Sequence, residues 1–395
     1  MTKYRVPMSS PDLGEAERRA VAEVLATPFL SMGEQAKEFE RAVCQTSGAA
    51  HAIAVSSGTT GLHLCVRAAG IGPGDLVVTT PYSFIASSNV LLYENAVPVF
   101  VDVDVRTGNI DPDCLEQAVR QLGEGGKPAQ TWLPRRAAAA KKPKAILAVD
   151  VFGQPADFDA INAIAKAHDL TVIEDSCEAL GANYKGRPAG RLGEFGVYAF
   201  YPNKQMTTGE GGAVITDDEG AADFMRALRN QGRAEGDTWL QHTHLGYNYR
   251  LPEISAALGR AQINRLEEML SKREQVAAWY GTRLQNLQGV ELQYIAPSTT
   301  RMSWFVYVVR LAPDINRDRL AKLLDQAGIP TRPYFSPLHL QPFMLERFGY
   351  QPGDYPIAEE LCRRGLALPF SSVMTEEQVE LVCAELQKSL ARSID

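Results

Sequence analysis

The chain has 395 residues, of which 45% are hydrophobic and 22% charged, the proportions of an ordinary globular protein. Such a length exceeds what one hydrophobic core usually supports, so two domains are expected. The net charge of −7 disfavours a nucleic-acid-binding protein, which normally carries a basic face. No apolar run is long enough to span a bilayer, and the first residues lack the apolar core of a signal peptide, so we expect a cytoplasmic protein. Six scattered cysteines without a C-x-x-C pair predict reduced thiols and no metal site.

Strand and helix signals alternate between about residues 50 and 216. Strands are predicted at 52–56, 76–80, 97–101, 145–149 and 170–174, and helices at 62–69, 85–94, 113–122 and 157–168. This alternation is typical of an α/β fold, a large domain in which helices cover both faces of a mostly parallel sheet. In open sheets of this kind, ligands bind beyond the carboxyl ends of the strands.

The rest of the chain predicts a smaller α+β domain at the C-terminus. Residues 253–287 carry apolar positions at helical spacing and are predicted to form one long helix that joins a large domain, 1–250, to a small one, 251–395. Strands of the small domain are predicted at 292–295 and 304–311. A low-complexity basic insertion at about 123–143 is predicted to be a solvated, mobile excursion.

One lysine stands between a short apolar run and a glycine-rich turn, in the segment 200–212. The amine of this residue, Lys204, could form a Schiff base with an aldehyde cofactor. Asp175 ends a predicted strand upstream, and an aspartate can pair with a protonated pyridine nitrogen. These are the two protein groups that pyridoxal phosphate (PLP) chemistry needs. Taken alone, such residues are more often a solvated lysine and a turn-capping acid.

The loop after the first predicted strand offers a phosphate site. Residues 56–61 follow a strand and begin a helix, so free backbone N–H groups and the helix dipole would face an anion. Serine and threonine are also common helix caps, so this motif is weak by itself. Phe84 follows the second strand, where it could stack on a pyridine ring or simply pack in the core.

With these motifs the chain resembles the DegT/DnrJ/EryC1/StrS family, the PLP-dependent sugar aminotransferases of the aspartate-aminotransferase fold. The resemblance covers nearly the whole chain and is most specific at 204–212. Its other matching segments are 7–11, 33–40, 61–64, 72–75, 99–102, 337–339 and 368–370. It implies the fold of PLP-dependent transferases of fold type I.

The resemblance implies a role for each residue of the candidate site. Lys204 would hold PLP and, once freed, shuttle a proton, while Asp175 would keep the pyridine nitrogen protonated. Phe84 would stack on the ring. Asn248 would reach the phosphate bound by a neighbouring subunit, so a homodimer with shared active sites is expected. The phosphate would be held by the loop of Ser57, Gly58, Thr59 and Thr60.

Three departures from the family pattern affect these expectations. Residues 199–201 read Ala-Phe-Tyr where many relatives carry a serine that touches the phosphate, so that hydrogen bond is missing or comes from Asn203. Asp150 stands where relatives often have histidine. Glu178 falls where relatives have glutamine or histidine near O3′ of the cofactor. Because two negative oxygens would repel, Glu178 is hypothesised to be protonated or turned away.

Lys204 also favours transamination, because a branch of the family that removes a sugar hydroxyl carries histidine in its place. The implied reaction moves an amino group from glutamate to a keto-sugar attached to a nucleoside diphosphate, for a surface polysaccharide or a glycosylated metabolite. A keto-cyclitol acceptor and a non-catalytic binding or regulatory protein are the alternatives. His339 could line the substrate pocket or satisfy a backbone carbonyl. The other candidate substrate contacts are Tyr201, Arg332 and Tyr334.

Overall fold

The computed structural model describes residues 4–137 and 141–393. Within these ranges the strands are β1 (His51–Val55), β2 (Leu76–Thr79), β3 (Val97–Phe100), β4 (Pro143–Val149), β5 (Thr171–Asp175), β6 (Asn183–Tyr184), β7 (Arg187–Pro188), β8 (Phe195–Ala199), β9 (Gly212–Thr216), β10 (Val290–Glu291), β11 (Thr299–Arg301), β12 (Tyr307–Leu311), β13 (Arg332–Pro333) and β14 (Gly365–Leu368). The α-helices are α1 (Glu15–Leu25), α2 (Glu34–Ser47), α3 (Gly58–Ala68), α4 (Ala86–Tyr93), α5 (Pro112–Glu124), α6 (Gly126–Gln130), α7 (Phe158–His168), α8 (Glu219–Arg229), α9 (Glu253–Ile263), α10 (Leu266–Leu284), α11 (Arg317–Gln326), α12 (Pro342–Phe348), α13 (Pro356–Arg364) and α14 (Glu376–Leu390). None of these helices combines the length and apolar character that crossing a bilayer requires.

A seven-stranded sheet forms the centre of the fold, in the order β1-β9-β8-β5-β4-β2-β3. Neighbours from β8 through β5, β4 and β2 to β3 pair in parallel, whereas β9 runs antiparallel to both β1 and β8. Most residues of these strands are buried, as expected for a parallel sheet covered on both faces. The predicted α/β class with a mostly parallel sheet is therefore confirmed.

Alternate side chains of each strand enter two different cores. On β5, Val172 packs in a cluster with residues of α5 and α7, and Ile173 packs in a cluster with residues of α3 and α8. Helices thus cover both faces of the sheet. The carboxyl ends of β1, β2, β4, β5 and β8 lie at one edge, and the loops that follow them form the candidate site.

The C-terminal part of the chain forms a smaller antiparallel sheet, β10-β12-β14-β13, packed against α10, α11 and α14. A third sheet, β11-β6-β7, pairs residues 299–301 with 183–184. This combination agrees with the predicted α+β unit. The boundary between domains at residue 250 stays a prediction.

Every strand and helix predicted between residues 52 and 174 has a counterpart. The largest displacement is in α3, which begins at Gly58 rather than residue 62. This earlier start matters for function, because it brings the helix N-terminus into the predicted phosphate loop.

The prediction of one helix over 253–287 was wrong. The helix breaks between α9 and α10, where Arg265 leaves helical geometry with φ of −111°. The Arg265 guanidinium donates to Asp12 at 3.1 Å and Glu17 at 2.9 Å. Ion pairs with the N-terminal region therefore hold the break, and the apolar periodicity of the segment does not reveal them.

The strand predicted at 292–295 was also wrong, since β10 is limited to Val290–Glu291. Beyond it, the side chain of Gln154 takes up the backbone hydrogen bonds of Tyr294 and Ala296 at 3.0 and 2.6 Å. The predicted strand 304–311 begins only at residue 307. Trp304 has φ of +49°, a left-handed conformation that a strand cannot contain.

The described part of the basic insertion is mostly exposed, as predicted, and it is held by specific contacts. The predicted mobility stays a prediction. After α5 and the short α6, Trp132 donates its indole N–H to Gln121 at 2.7 Å. Both guanidinium NH₂ groups of Arg135 donate to Asp354, at 2.6 and 2.7 Å. An aromatic anchor and a distant carboxylate thus hold the described part of the insertion. Residues 138–140 of the predicted stretch lie outside the described residues.

Candidate active site

The carboxyl edge of the large sheet brings together residues from four separate strands. Ser57 follows β1, Phe84 follows β2, Asp175 ends β5 and Lys204 follows β8. Since β1, β2, β5 and β8 all run in the same direction, these loops emerge on the same side.

Lys204 lies in a tight turn after β8, where its backbone N–H donates to the carbonyl of Tyr201 at 2.9 Å. Its side chain is only 13% exposed. The amine Nζ lies 3.8 Å from Oε1 of Glu178 and 3.7 Å from the centre of the Phe305 ring. The nearest neighbours of the amine are thus a carboxyl group and an aromatic face.

Glu178 is buried beside this amine, and its Oε2 accepts the backbone N–H of Phe152 at 2.9 Å. Burial raises the pKa of Glu178, while the charge of Lys204 and the Phe152 N–H act in the opposite direction. The net effect is a raised pKa, which is the direction that the hypothesis of a protonated Glu178 requires.

Asp175 is 5% exposed and its two oxygens have different donors. The Ser87 hydroxyl donates to Oδ2 at 2.6 Å, and the Cys177 N–H donates to Oδ1 at 3.2 Å. Lys204 pairs with Glu178 instead, and among residues 4–137 and 141–393 no cation forms an ion pair with Asp175. A buried carboxylate that lacks a cation suits a ligand that brings a positive charge.

The predicted phosphate loop forms the N-terminus of α3. Ser57 caps the helix by accepting the N–H of Thr60 at 3.1 Å. The backbone N–H groups of Gly58 and Thr59 are the next donors of this first helical turn, and the helix dipole adds partial positive charge. An anion would therefore be bound by main-chain groups.

Two glycines let other strands approach this loop closely. A Cβ at Gly58 would lie 2.8 Å from Ala199 Cβ and 2.8 Å from Cys177 Sγ. A Cβ at Gly212 would lie 2.7 Å from the Ser57 carbonyl. Side chains at either position would push the loop away from the sheet, so the cradle depends on both glycines.

Three further predicted contacts flank the edge. Phe84 and Tyr201 are 63% and 52% exposed, so both rings are available to a bound molecule. Asn203 is partly buried, and its Oδ1 has no hydrogen-bond partner within the described residues. An orphaned polar atom beside Lys204 fits a site that a ligand completes.

Asn248 is exposed between two tyrosines that pack inward. The rings of Tyr247 and Tyr249 stack at 4.8 Å and both contact His63, whose Nε2 lies 2.8 Å from a Glu94 oxygen. This cluster fixes the segment and turns Asn248 outward. The carbonyl of Tyr249 also accepts the N–H of Ser56 at 2.9 Å, which ties the segment to the phosphate loop.

The proposed substrate contacts differ in their exposure. Arg332 is exposed, and Tyr334 is half-buried, with its ring 5.8 Å from that of Phe152, whose N–H binds Glu178. His339 is fully buried, with Nε2 3.0 Å from the Glu359 carboxylate. Its partner is thus a side chain and not the backbone carbonyl considered from the sequence.

Asp150 is buried below the site rather than in it. One hydroxyl, that of Ser176, lies 2.6 Å from Asp150 Oδ2 and 2.9 Å from Glu174 Oε1. Burial, followed by the charge of Glu174, raises the pKa of Asp150 well above its usual range. Its oxygens accept from the Ser176 hydroxyl and the Ala156 N–H, so its described contacts are in the core.

Three residues that complete the site were not identified from the sequence. Ser87 holds Asp175, Phe305 lies against the Lys204 amine, and Arg273 binds the Lys204 carbonyl at 2.6 Å. Phe305 and Arg273 are 101 and 69 residues from Lys204, and no local spacing relates them to it.

Comparison with known proteins places the whole chain in one family. The model of the DegT/DnrJ/EryC1/StrS aminotransferase family matches residues 11–387. The GDP-perosamine synthase of Caulobacter vibrioides is 38% identical over 389 residues, which cover 98% of each chain. The spore coat polysaccharide biosynthesis protein SpsC of Bacillus subtilis is 34% identical over 388 residues, covering 95% of this chain and 94% of that protein.

Solved structures agree with these sequence matches. The crystal structure of S. venezuelae DesV in complex with a ketimine intermediate superposes with a TM-score of 0.86 at 31% identity, covering 99% of this chain and 100% of that one. Sequence and fold thus correspond from end to end. The chain belongs to the DegT/DnrJ/EryC1/StrS aminotransferase family and is a PLP-dependent transaminase.

Proposed function

We propose that this chain transfers an amino group from glutamate to a keto-sugar carried by a nucleoside diphosphate, with PLP held by Lys204 and Asp175. One observation carries this proposal: the shielded amine of Lys204 and the buried side chain of Asp175 lie at the same sheet edge, and no cation among residues 4–137 and 141–393 forms an ion pair with Asp175. PLP chemistry requires these two groups, and the α3 N-terminus supplies main-chain donors for a phosphate.

The described residues fit the cofactor at each of its ends. Asp175, held by Ser87 and the Cys177 N–H, would accept a hydrogen bond from a protonated pyridine nitrogen. The N–H groups of Gly58 and Thr59 would bind the phosphate, and Phe84 would cover the ring. Bound there, PLP would supply an electron-withdrawing ring and a carbonyl carbon that takes up the amino group.

Lys204 would have two tasks. Its Nζ would bond to the cofactor and, once displaced by the amine of glutamate, would move a proton from the donor's α-carbon. Glu178 lies 3.8 Å from this nitrogen and would hold the freed amine close to the cofactor between the two tasks.

The acceptor is inferred from relatives and from two exposed side chains that were predicted as substrate contacts. A GDP-perosamine synthase and a spore coat polysaccharide biosynthesis protein are similar to this chain over nearly its whole length. Exposed Arg332 offers a cation to a diphosphate, and exposed Tyr201 offers a ring to a sugar or a base.

An absorption spectrum of PLP-loaded protein tests the first half of the reaction. We expect a visible band that glutamate bleaches, and no such cycle in Lys204→Ala. Lys185→Ala, which removes a lysine paired with Asp159 on the surface, should behave like the wild type. Keto-sugar nucleotides and a keto-cyclitol are then offered to the glutamate-treated protein, and recovery of the band identifies the acceptor. A protein that takes up no PLP would contradict the proposal.

We also propose a homodimer in which Asn248 completes the partner's phosphate site. Large apolar side chains are exposed on two segments near Asn248: Leu245, three residues before it, is 81% exposed, and Phe29 is 70% exposed. Phe29 lies near this segment, because Ser31 forms a β-bridge with Pro252. Such a surface favours a second copy as its cover.

Mixing two inactive variants tests this arrangement. If each site uses Lys204 of one subunit and Asn248 of the other, a mixed dimer of Lys204→Ala and Asn248→Ala contains one intact site. An equal mixture that exchanges subunits should then recover about one quarter of wild-type activity, since half of the dimers are mixed. No recovery despite subunit exchange would show that the sites are not shared.

A further inference from the structure

A buried arginine on α10 contacts the backbone around Lys204. Arg273 is 2% exposed, and its guanidinium donates to the carbonyl of Lys204 at 2.6 Å and to that of Asn203 at 3.4 Å. Its other NH₂ group donates to the carbonyls of Trp304 and Phe305 at 3.1 and 3.2 Å. One side chain therefore joins two segments that are distant in sequence.

These two segments are the ones that define the environment of the Lys204 amine. The first carries Lys204 itself, and the second carries Phe305, whose ring centre lies 3.7 Å from Nζ. The fork of Arg273 fixes the backbone of both at the same time, so it sets the distance between the amine and the ring. A lysine side chain has four rotatable bonds. The position of its amine is therefore defined only when both the backbone of the lysine and the residues around the amine are fixed.

Stability alone gives a poor account of this arginine. All of its described hydrogen bonds go to neutral carbonyls, and its Nε has no partner within residues 4–137 and 141–393. Burial lowers the pKa of Arg273 to about 10, which reflects the cost of keeping this charge away from water. A well-packed apolar side chain would usually be no less stable at such a position. Unlike an apolar side chain, the rigid, planar guanidinium can bind the carbonyls of two separate segments at the same time.

We propose that Arg273 is a positioning residue that holds the Lys204 amine in place for its bond to the cofactor, an inference that rests on the proposed function. In that step the nitrogen of Lys204 bonds to the aldehyde carbon, and the aldehyde oxygen leaves as water with two hydrogens from the amine. The step needs the nitrogen at one place relative to a cofactor fixed by Asp175 and the phosphate loop. Arg273 touches neither of those cofactor anchors.

This division of roles gives a test with two readouts on the apo-protein. The first is the rate of covalent capture of PLP, followed by absorbance and by mass spectrometry after borohydride reduction. The second is the dissociation constant of 4′-deoxypyridoxine 5′-phosphate, which has the ring and the phosphate but no aldehyde. A positioning residue affects the first readout and leaves the second unchanged.

We expect Arg273→Met to slow capture by roughly 10- to 100-fold, the loss typical of a reacting group displaced by about 1 Å. Affinity for the deoxy analogue should stay within about twofold of the wild type. Arg273→Gln keeps one NH₂ donor, so its capture rate should lie between those of the wild type and Arg273→Met. The Gln variant replaces the Met variant if the latter does not fold. Equal losses in capture rate and analogue affinity, or an unchanged capture rate, would overturn the inference.

A matched control lies on the same helix. Tyr280 is also buried, and its hydroxyl donates to the carbonyl of Pro369 at 2.7 Å. Tyr280→Phe removes one buried hydrogen bond from α10 without reaching Lys204, so it should lower thermal stability and leave capture unchanged. Slowed capture in this control would mean that any damage to α10 has the same effect. Failure of the wild type to form an adduct at Lys204 would instead overturn the proposed function, and this inference with it.

Discussion

Two adjacent carboxylates on β5 show how the same fold treats two buried acids differently. Glu174 and Asp175 point to opposite faces of the sheet. Glu174 accepts three backbone N–H groups, from Gly190, Leu192 and Gly193, at 2.5, 2.6 and 3.3 Å. Asp175 accepts one N–H and one hydroxyl. The first acid is satisfied by its own chain, whereas the second keeps acceptor capacity for a ligand.

The largest effect is expected for Asp175→Asn. An amide cannot hold a protonated pyridine nitrogen by charge, so the rate of the glutamate half-reaction should fall on the order of a thousandfold. The amide oxygen can keep the Cys177 N–H, and the amide NH₂ can donate to the Ser87 hydroxyl, which also accepts, so the thermal midpoint should change little. Stopped-flow absorbance and a thermal melt measure the two quantities. A large loss of stability would make Asp175 a structural acid like its neighbour.

Glu174→Gln should have the opposite profile. Its amide NH₂ would face backbone N–H donors that now bind an oxygen, and leaving buried donors unpaired costs about 2 kcal/mol. We therefore expect a lower urea midpoint and an unchanged half-reaction rate in the folded protein. A rate loss with full stability would remove the distinction between the two acids.

A smaller effect is expected for Ser87→Ala, which removes a hydroxyl from Asp175. The ionised carboxylate would lose a charge-assisted hydrogen bond, so the half-reaction rate should fall roughly tenfold. Ser88→Ala is the matched control, because the Ser88 hydroxyl donates to the Ile85 carbonyl instead. Equal rates for the two variants would show that Ser87 does not support Asp175.

The smallest effect concerns Asp150, the buried acid beside Glu174. The folded protein holds the pKa of Asp150 above that of the unfolded chain, so wild-type stability should fall as pH rises from about 4 towards the folded value. Asp150→Asn removes the contribution of Asp150 to this dependence, while Glu174, whose pKa burial also raises, keeps its own; the variant should be more stable at neutral pH, on the order of 1 kcal/mol. Thermal midpoints measured across pH for both proteins check the sign. A variant less stable than the wild type at pH 8 would contradict a raised pKa of Asp150 in the folded protein.

The sequence was informative where local pattern decides structure. Strand and helix periodicity located the central sheet, and the position of Asp175 at a strand end agrees with the edge at which the structure places it. Lys204 was identified because it stands between a short apolar run and a glycine-rich turn, where a reactive amine could meet a cofactor.

Local pattern failed where partners are far apart in the chain. The break between α9 and α10 depends on Arg265 reaching Asp12 and Glu17, about 250 residues earlier. In the described part of the insertion Arg135 pairs with Asp354, 219 residues later, and composition alone does not reveal such a partner. Arg273 was overlooked for the same reason, since the carbonyls that it binds come from two remote loops.

The close approach of β9 to the phosphate loop bears on attempts to give this scaffold a new acceptor. No Cβ fits at Gly58 or Gly212 without moving its neighbours. In a mutagenesis library that varies either position, most variants would therefore have a displaced phosphate loop and would misplace the cofactor. Tyr201 and Arg332 are exposed and carry no such restriction. Directed evolution of substrate range should therefore keep the two glycines constant and concentrate diversity at those exposed positions.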